Sequence, residues 1–197
     1  MQKTIAFFDF DGTITRKDTL LDFLIFAFGY FKVIVGFMNL MPVLLGFYLG
    51  FLKNDYAKVK IIKYFLKGHS LSNIQKVAIS YVEKKLPLVL RSKAIDRMMW
   101  HIDNRHEVIV VSASPSLWIE PWTMIMKIGL VSTILETKND KFTGNFKTKN
   151  CYGVEKVKRI QNILNLDEYE TIYAYGDSSG DHEMLNLANF SYYKPFR

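Results

Sequence analysis

Phe7-Phe8-Asp9-Phe10-Asp11-Gly12-Thr13 closes an apolar run that begins at Ile5, and its reading decides the fold. Four apolar residues in a row suit a strand buried on both faces, as in a parallel sheet. In extended chain, residues two apart point to the same side. Asp9 and Asp11 are therefore expected to face one small volume at the strand's carboxyl end, where open α/β sheets place their ligands. Two carboxylates held that close repel and shift each other's pKa unless a cation or proton sits between them. Gly12 permits a sharp turn. An Asp-Gly pair after a strand is also an ordinary turn signal, so the weight falls on the rest of the chain.

The chain has 197 residues, which suits one domain or a core domain with a modest insertion. Hydrophobic residues make up 49% and charged residues 23%, so a packed core is affordable and disorder is not expected. Cys151 is the single cysteine, which excludes an intrachain disulfide and fits a reducing compartment. The first apolar run meets Asp9 too soon to serve as a signal peptide. A net charge of +7 points to anionic partners, whether phosphate esters, nucleic acid or lipid head groups.

Outward from the first strand (4–9), residues 20–52 are intensely apolar, and 33–52 form twenty consecutive residues without a charge. A lysine-rich stretch (53–67) and mixed helical sequence follow to about Asn104. A second strand is expected at 108–112, a helix at 115–127, a small β-excursion at 134–147 and a helix at 154–164. A third core strand at 171–175 runs into Gly176-Asp177. A helix at 181–188 and a last strand at 190–193 complete the pattern. Strands alternating with helices predict an α/β, Rossmann-like parallel sheet with helices on both faces. Residues 17–104 break that rhythm with helical sequence only. They read as an α-helical cap inserted into a core of 1–16 and 105–197. Trp118 and Trp122, four apart, are expected in the core.

Three strand ends then deliver polar groups to one sheet edge: Asp9 and Asp11, Ser112, and the loop Gly176-Asp177-Ser178-Ser179-Gly180-Asp181. Four carboxylates gathered there need a cation, and all-oxygen ligands with room for water suit Mg²⁺. Ser112 and Lys156 could hold the oxygens of a phosphate, with Lys158 as a nearby competitor. The histidines His69, His101, His106 and His182 show no metal-ligand spacing.

At this point the sequence resembles a known family. D-x-D-G-T after a strand, a strand ending in Ser, a lysine, and G-D-S-x-x-D are similar to the four motifs of the haloacid dehalogenase-like (HAD) phosphatases. The cap position is similar to subfamily IB, which includes phosphoserine phosphatase. The resemblance implies that Asp9 is the nucleophile, forming an aspartyl-phosphate, and Asp11 the general acid and base. It further implies that Ser112, Ala113 and Lys156 bind phosphate and that Asp9, Asp11 (through its carbonyl) and Asp177 bind Mg²⁺. Asp181 and Ser178 would support the metal.

Asp18 stands where phosphoserine phosphatases carry a substrate-holding Glu. The cap arginine of those enzymes has no counterpart here, because no arginine occurs between Arg16 and Arg91. The twenty uncharged residues are long enough to span a bilayer, but Pro42 interrupts them, and two short helices turning near Asn39 to Pro42 suit a cap better. An apolar hairpin beside Lys53, Lys60, Lys63 and Lys67 has the composition of a membrane-surface element. The stretches D-x-D-G-T-I-T-x-x-D-T-L, V-S-A-S-P-x-x-W and N-C-Y-G-x-E-K are similar to the branch containing the bacterial phosphatidylglycerophosphatase C type. The expectation is a Mg²⁺-dependent phosphomonoester hydrolase of the cytoplasm or the inner membrane face. A lipid-linked phosphate such as phosphatidylglycerophosphate leads as substrate, and the suggested partner is an anionic membrane met peripherally. The alternatives are a soluble phosphatase of the phosphoserine type and a non-catalytic anion-binding protein. No specific nucleic acid is expected.

Overall fold

The computed structural model describes residues 3–197; Met1 and Gln2, part of the expected core segment 1–16, lie outside the described residues. At its centre is β1 (Lys3–Phe8). Its side chains alternate between two apolar layers: Ile5 and Phe7 pack on one face of the sheet, Ala6 and Phe8 on the other. Parallel partners flank it on both sides, β2 (Glu107–Pro115) and β6 (Tyr169–Gly176). Phe8 sits opposite Val110 on one side and Tyr175 on the other, which brings three strand ends level. With β3 (Gly129–Thr133) and β7 (Phe190–Tyr193) the order is β3-β2-β1-β6-β7. The crevice at the carboxyl end of β1 is thus the topological switch point where α/β folds bind ligands.

Six helices lie between β1 and β2: α1 (Thr19–Phe28), α2 (Tyr30–Asn39), α3 (Met41–Tyr48), α4 (Asn54–Leu66), α5 (Leu71–Lys84) and α6 (Ser92–Asp103). Gly29, at φ 82°, breaks α1 from α2, whose axes differ by 120°. The expected second break falls at Leu40, and Pro42 occupies the first turn of α3, where its missing N–H is harmless. No single helix among the described residues is long and apolar enough to cross a membrane; the bent pair α1–α2 passes by length and composition only. The segment joining α4 to α5 pairs with a hairpin of β4 (Leu135–Lys138) and β5 (Lys141–Phe146). Backbone bonds run from Gly68 N–H to Phe142 O at 2.8 Å and from Leu71 N–H to Asp140 O at 2.8 Å. Asn139 and Asp140, at φ 50° and 57°, make the tight hairpin turn.

After β2 come α7 (Ser116–Met126), then, beyond the hairpin, α8 (Val154–Ile163) and α9 (His182–Leu185). Two sequence expectations need correction. Residues 129–133 carry no expected strand, yet β3 lies parallel to β2, with Ile109 opposite Gly129. A Cβ at Gly129 would press on the Ile109 side chain, so a weak strand former is what the close approach requires. The last helix is shorter than 181–188, ending at Leu185, and Asn189 accepts the Ile172 N–H at 2.7 Å just before β7. Trp118 and Trp122 are buried as expected.

Candidate active site

Beyond Phe8 the chain does not stay extended. Asp9 keeps extended angles, and Phe10–Ile14 closes a wide helical turn interrupted at Asp11 and Gly12, the latter at φ 82°. A Cβ at Gly12 would overlap the Asp177 carboxylate, so the glycine serves both the turn and the approach of the two loops. Asp9 and Asp11 both line a cavity of about 190 Å³ at the switch point, together with Asp18, Asn54, Lys58, Ala113, Tyr152, Lys156, Ser178 and Asp181.

Lys156, in the first turn of α8 and almost fully buried, is the hub. Its ammonium donates to Asp9 Oδ1 at 2.6 Å, Asp181 Oδ1 at 2.6 Å and Val111 O at 2.7 Å, using all three hydrogens. Lys158 is exposed and takes no part. Burial works against the Lys156 charge, but the Asp9 and Asp181 carboxylates outweigh it and raise the pKa. Burial pushes Asp9 up to about 7, with Lys156 opposing and Asp181 and Asp11 adding. Asp181 stays below its ordinary value: burial raises it, but the charge of Lys156 and three donors around its carboxylate prevail. Those donors include the Ser178 hydroxyl at 2.8 Å and the Asp177 and Ser178 N–H groups at 3.1 and 2.9 Å. Both oxygens of Asp181 are thus committed, and it positions Lys156 and the loop.

Asp11 is held differently. Its Oδ1 accepts from the Thr19 N–H at 2.7 Å and the Thr19 hydroxyl at 2.6 Å, and its Oδ2 from the Ser114 hydroxyl at 2.5 Å. Trp118 Nε1 donates to the Thr19 hydroxyl at 3.0 Å, fixing that group in turn. Burial, followed by the charge of Asp18, raises the Asp11 pKa against these donors. Thr13 gives its hydroxyl to Asp9 Oδ2 at 3.1 Å. Of the second-motif pair, Ala113 lines the cavity, while Ser112 is fully buried with its hydroxyl accepting the Ser114 N–H at 3.0 Å. Asp18 lines the cavity but is also the N-cap of α1, accepting from Leu20 and Leu21 N–H at 2.9 and 3.3 Å.

Asp9, Asp177 and Asp181 each bring a carboxylate oxygen within 4.8 Å of the others. The donor set is hard oxygen, and Asp177 is paired with the Arg197 guanidinium. A small divalent cation fits this set. Sequence reasoning did not single out Thr13, Thr19, Ser114, Asn54, Lys58, Tyr152 or Arg197. Thr13, Thr19, Ser114 and Tyr152 lie inside the quoted motif stretches, which were a usable signal; Asn54, Lys58 and Arg197 reach the site only through tertiary packing.

A parallel α/β sheet whose central strand feeds a carboxylate pair and a buried lysine into the switch-point crevice is the frame of a phosphoryl-handling hydrolase. Residues 6–186 match the haloacid dehalogenase-like hydrolase family, and the chain belongs to it. It is a hydrolase of that family. Protein CicA of Caulobacter vibrioides is 32% identical over 192 residues, 96% of this chain and 85% of that protein. A probable phosphatase of Mycobacterium tuberculosis is 26% identical over 194 residues, 93% of this chain and 66% of its own length. Among solved structures, a Bordetella pertussis protein of unknown function superposes with a TM-score of 0.84 at 20% identity, over 95% of this chain and 88% of that one. Substrate-bound phosphoserine phosphatase gives a TM-score of 0.69 at 16% identity, over 98% and 86%.

Proposed function

We propose that the protein is a Mg²⁺-dependent phosphomonoester hydrolase working through an aspartyl-phosphate on Asp9. The observation that carries this reading is the pairing of Asp9 with Lys156 beside a second carboxyl, Asp11, whose pKa is raised and whose orientation is fixed by Thr19 and Ser114. Mg²⁺ would be held by Asp9, Asp177 and the Asp11 carbonyl, and would offset the repulsion between carboxylate and phosphate dianion. An Asp9 oxygen attacks phosphorus as the ester P–O bond breaks. Asp11 gives its proton to the departing alkoxide, then takes one from the water that cleaves the acyl phosphate, releasing inorganic phosphate and restoring Asp9. Lys156, with Ser112 and the Ala113 backbone, would hold the phosphoryl oxygens and stabilise charge that develops there.

Residues 17–104 act in this reading as the cap of a subfamily IB enzyme, supported by Asp18, Asn54 and Lys58 closing one side of the cavity. The substrate is a lipid-linked phosphomonoester of the phosphatidylglycerophosphate kind, handled at the cytoplasmic face of a membrane. The exposed apolar side chains of α2 and α3 favour it over a soluble phosphoserine-type substrate, and Lys58 faces the cavity as a point charge without the fork of an arginine. Asp9→Asn is expected to abolish phosphate release from an aryl phosphate, and undiminished turnover would overturn the assignment. A panel of phosphoserine, sugar phosphates, nucleotides and phosphatidylglycerophosphate tests the substrate, and clear preference for phosphoserine would overturn the lipid reading.

A further inference from the structure

We infer that the α2–α3 hairpin and the lysines of α4 form a docking face for an anionic lipid bilayer. α2 is apolar on both sides, but only one side is used inside the molecule. Val33, Gly36 and Leu40 are buried, with Gly36 set against the Tyr64 and Phe65 rings of α4. Ile34 and Met38 point out on the opposite side, and Phe31 and Val35 are exposed at the rim of an apolar groove shared with Tyr64 and Phe65. In α3 no residue is buried. Phe31 is 80% exposed, Tyr48 85% and Phe51 81%, values that a packed cap has no use for.

The charge around this face is of one sign. Between Asp22 and Asp55 there is no acidic residue, while Lys32 and Lys53 bound the hairpin. Lys60 and Lys67 lie one turn either side of Tyr64, whose hydroxyl accepts from Asn39 at the end of α2 at 2.9 Å. Lys63 is exposed beside them. This collar argues against a second copy as the occupant. A two-fold contact lays a patch on itself, so lysines would meet lysines with no carboxylate to separate them. Anionic head groups meet the same collar with opposite sign, and each lysine near such a surface is worth roughly fivefold in affinity. At about 15 and 12 Å long, α2 and α3 cannot cross a hydrocarbon layer of about 30 Å and must lie along its surface.

Docking here deepens the lipid-phosphate reading and rests on it only for what the docked enzyme acts on. α4 leaves the hairpin at once, and its first residues Asn54 and Lys58 line the catalytic cavity, so the face and the cavity are neighbours along one helix. The test floats the full chain with vesicles of phosphatidylcholine alone and of phosphatidylcholine with phosphatidylglycerol. Binding is expected to the anionic vesicles, to weaken with salt, and to fall about tenfold or more in Phe31→Asp/Phe51→Asp while aryl-phosphate hydrolysis is unchanged. If that variant folds poorly, Lys63→Gln/Lys67→Gln leaves the apolar face intact and should still weaken anionic binding. Absence of binding, binding that survives both variants, or self-association lost in Phe31→Asp/Phe51→Asp without vesicle binding overturns the inference. Aryl-phosphate hydrolysis by the unmodified chain, measured alongside, tests the phosphatase reading separately.

Discussion

Lys156 carries more of the site than any other residue, because a single buried ammonium joins the nucleophile candidate, the β2 carbonyl of Val111 and the Asp181 loop. Lys156→Met leaves Asp9 and Asp181 facing each other in a buried space. Phosphate release is expected to fall by roughly 10²–10³, the usual effect of removing one preorganised electrostatic group. A fall under tenfold in a folded variant would mean the ammonium is structural. The Asp9, Asp11 and Lys156 placements were legible in the sequence because strand, turn and helix-start signals put each at an element end. Thr19 and Ser114 were not, although both lie in quoted motifs. Their importance comes from meeting Asp11 across the crevice, a contact between residues 8 and 103 positions away that no local pattern encodes.

At the scale of elements, Asp18 has a structural role in addition to lining the cavity. Its carboxylate caps α1, so Asp18→Ala should destabilise the protein by about 1 kcal/mol, whereas Asp18→Asn keeps the acceptor and the stability. Urea unfolding of the two variants checks this, and equal midpoints for Ala and the unmodified chain would remove the cap. Gly12→Ala is expected to cost more than its backbone strain, because the new Cβ meets the Asp177 carboxylate; lowered Mg²⁺ affinity in activity titrations is the readout. Core strands of continuous apolar sequence were legible, as was the β4–β5 hairpin from its Asn-Asp turn. β3 escaped because Gly129, Ser132 and Thr133 dilute it, and only its pairing with β2 makes it a strand.

For the molecule as a whole, the layered α/β arrangement followed from alternation, but the orientation of the helices between β1 and β2 did not. When both sides of α2 are apolar, periodicity gives no sign of which side faces inward, and packing on α4 decides it. The layer between the sheet and α6 also holds a pH-sensitive group. His101 is fully buried, with its ring nitrogens bonded to His106 Nδ1 at 2.8 Å and the Tyr175 hydroxyl at 2.9 Å. Burial, then the neighbouring His106 and Arg97, lower its pKa to about 4 from 6.5. The unfolded chain therefore binds the proton first, and the stability held above pH 6.5 is lost as pH falls toward 4. Thermal melts across that window should show a falling Tm, with a shallower fall in His101→Gln; parallel slopes would contradict it. The central claim is that phosphorus becomes bonded to Asp9, and rapid-quench mass spectrometry of the Asp11→Asn variant tests it most directly. With an aryl phosphate and Mg²⁺, one phosphoryl group should accumulate on the peptide carrying Asp9 and vanish when the metal is chelated. Turnover with no such adduct, or an adduct on another residue, would contradict the account.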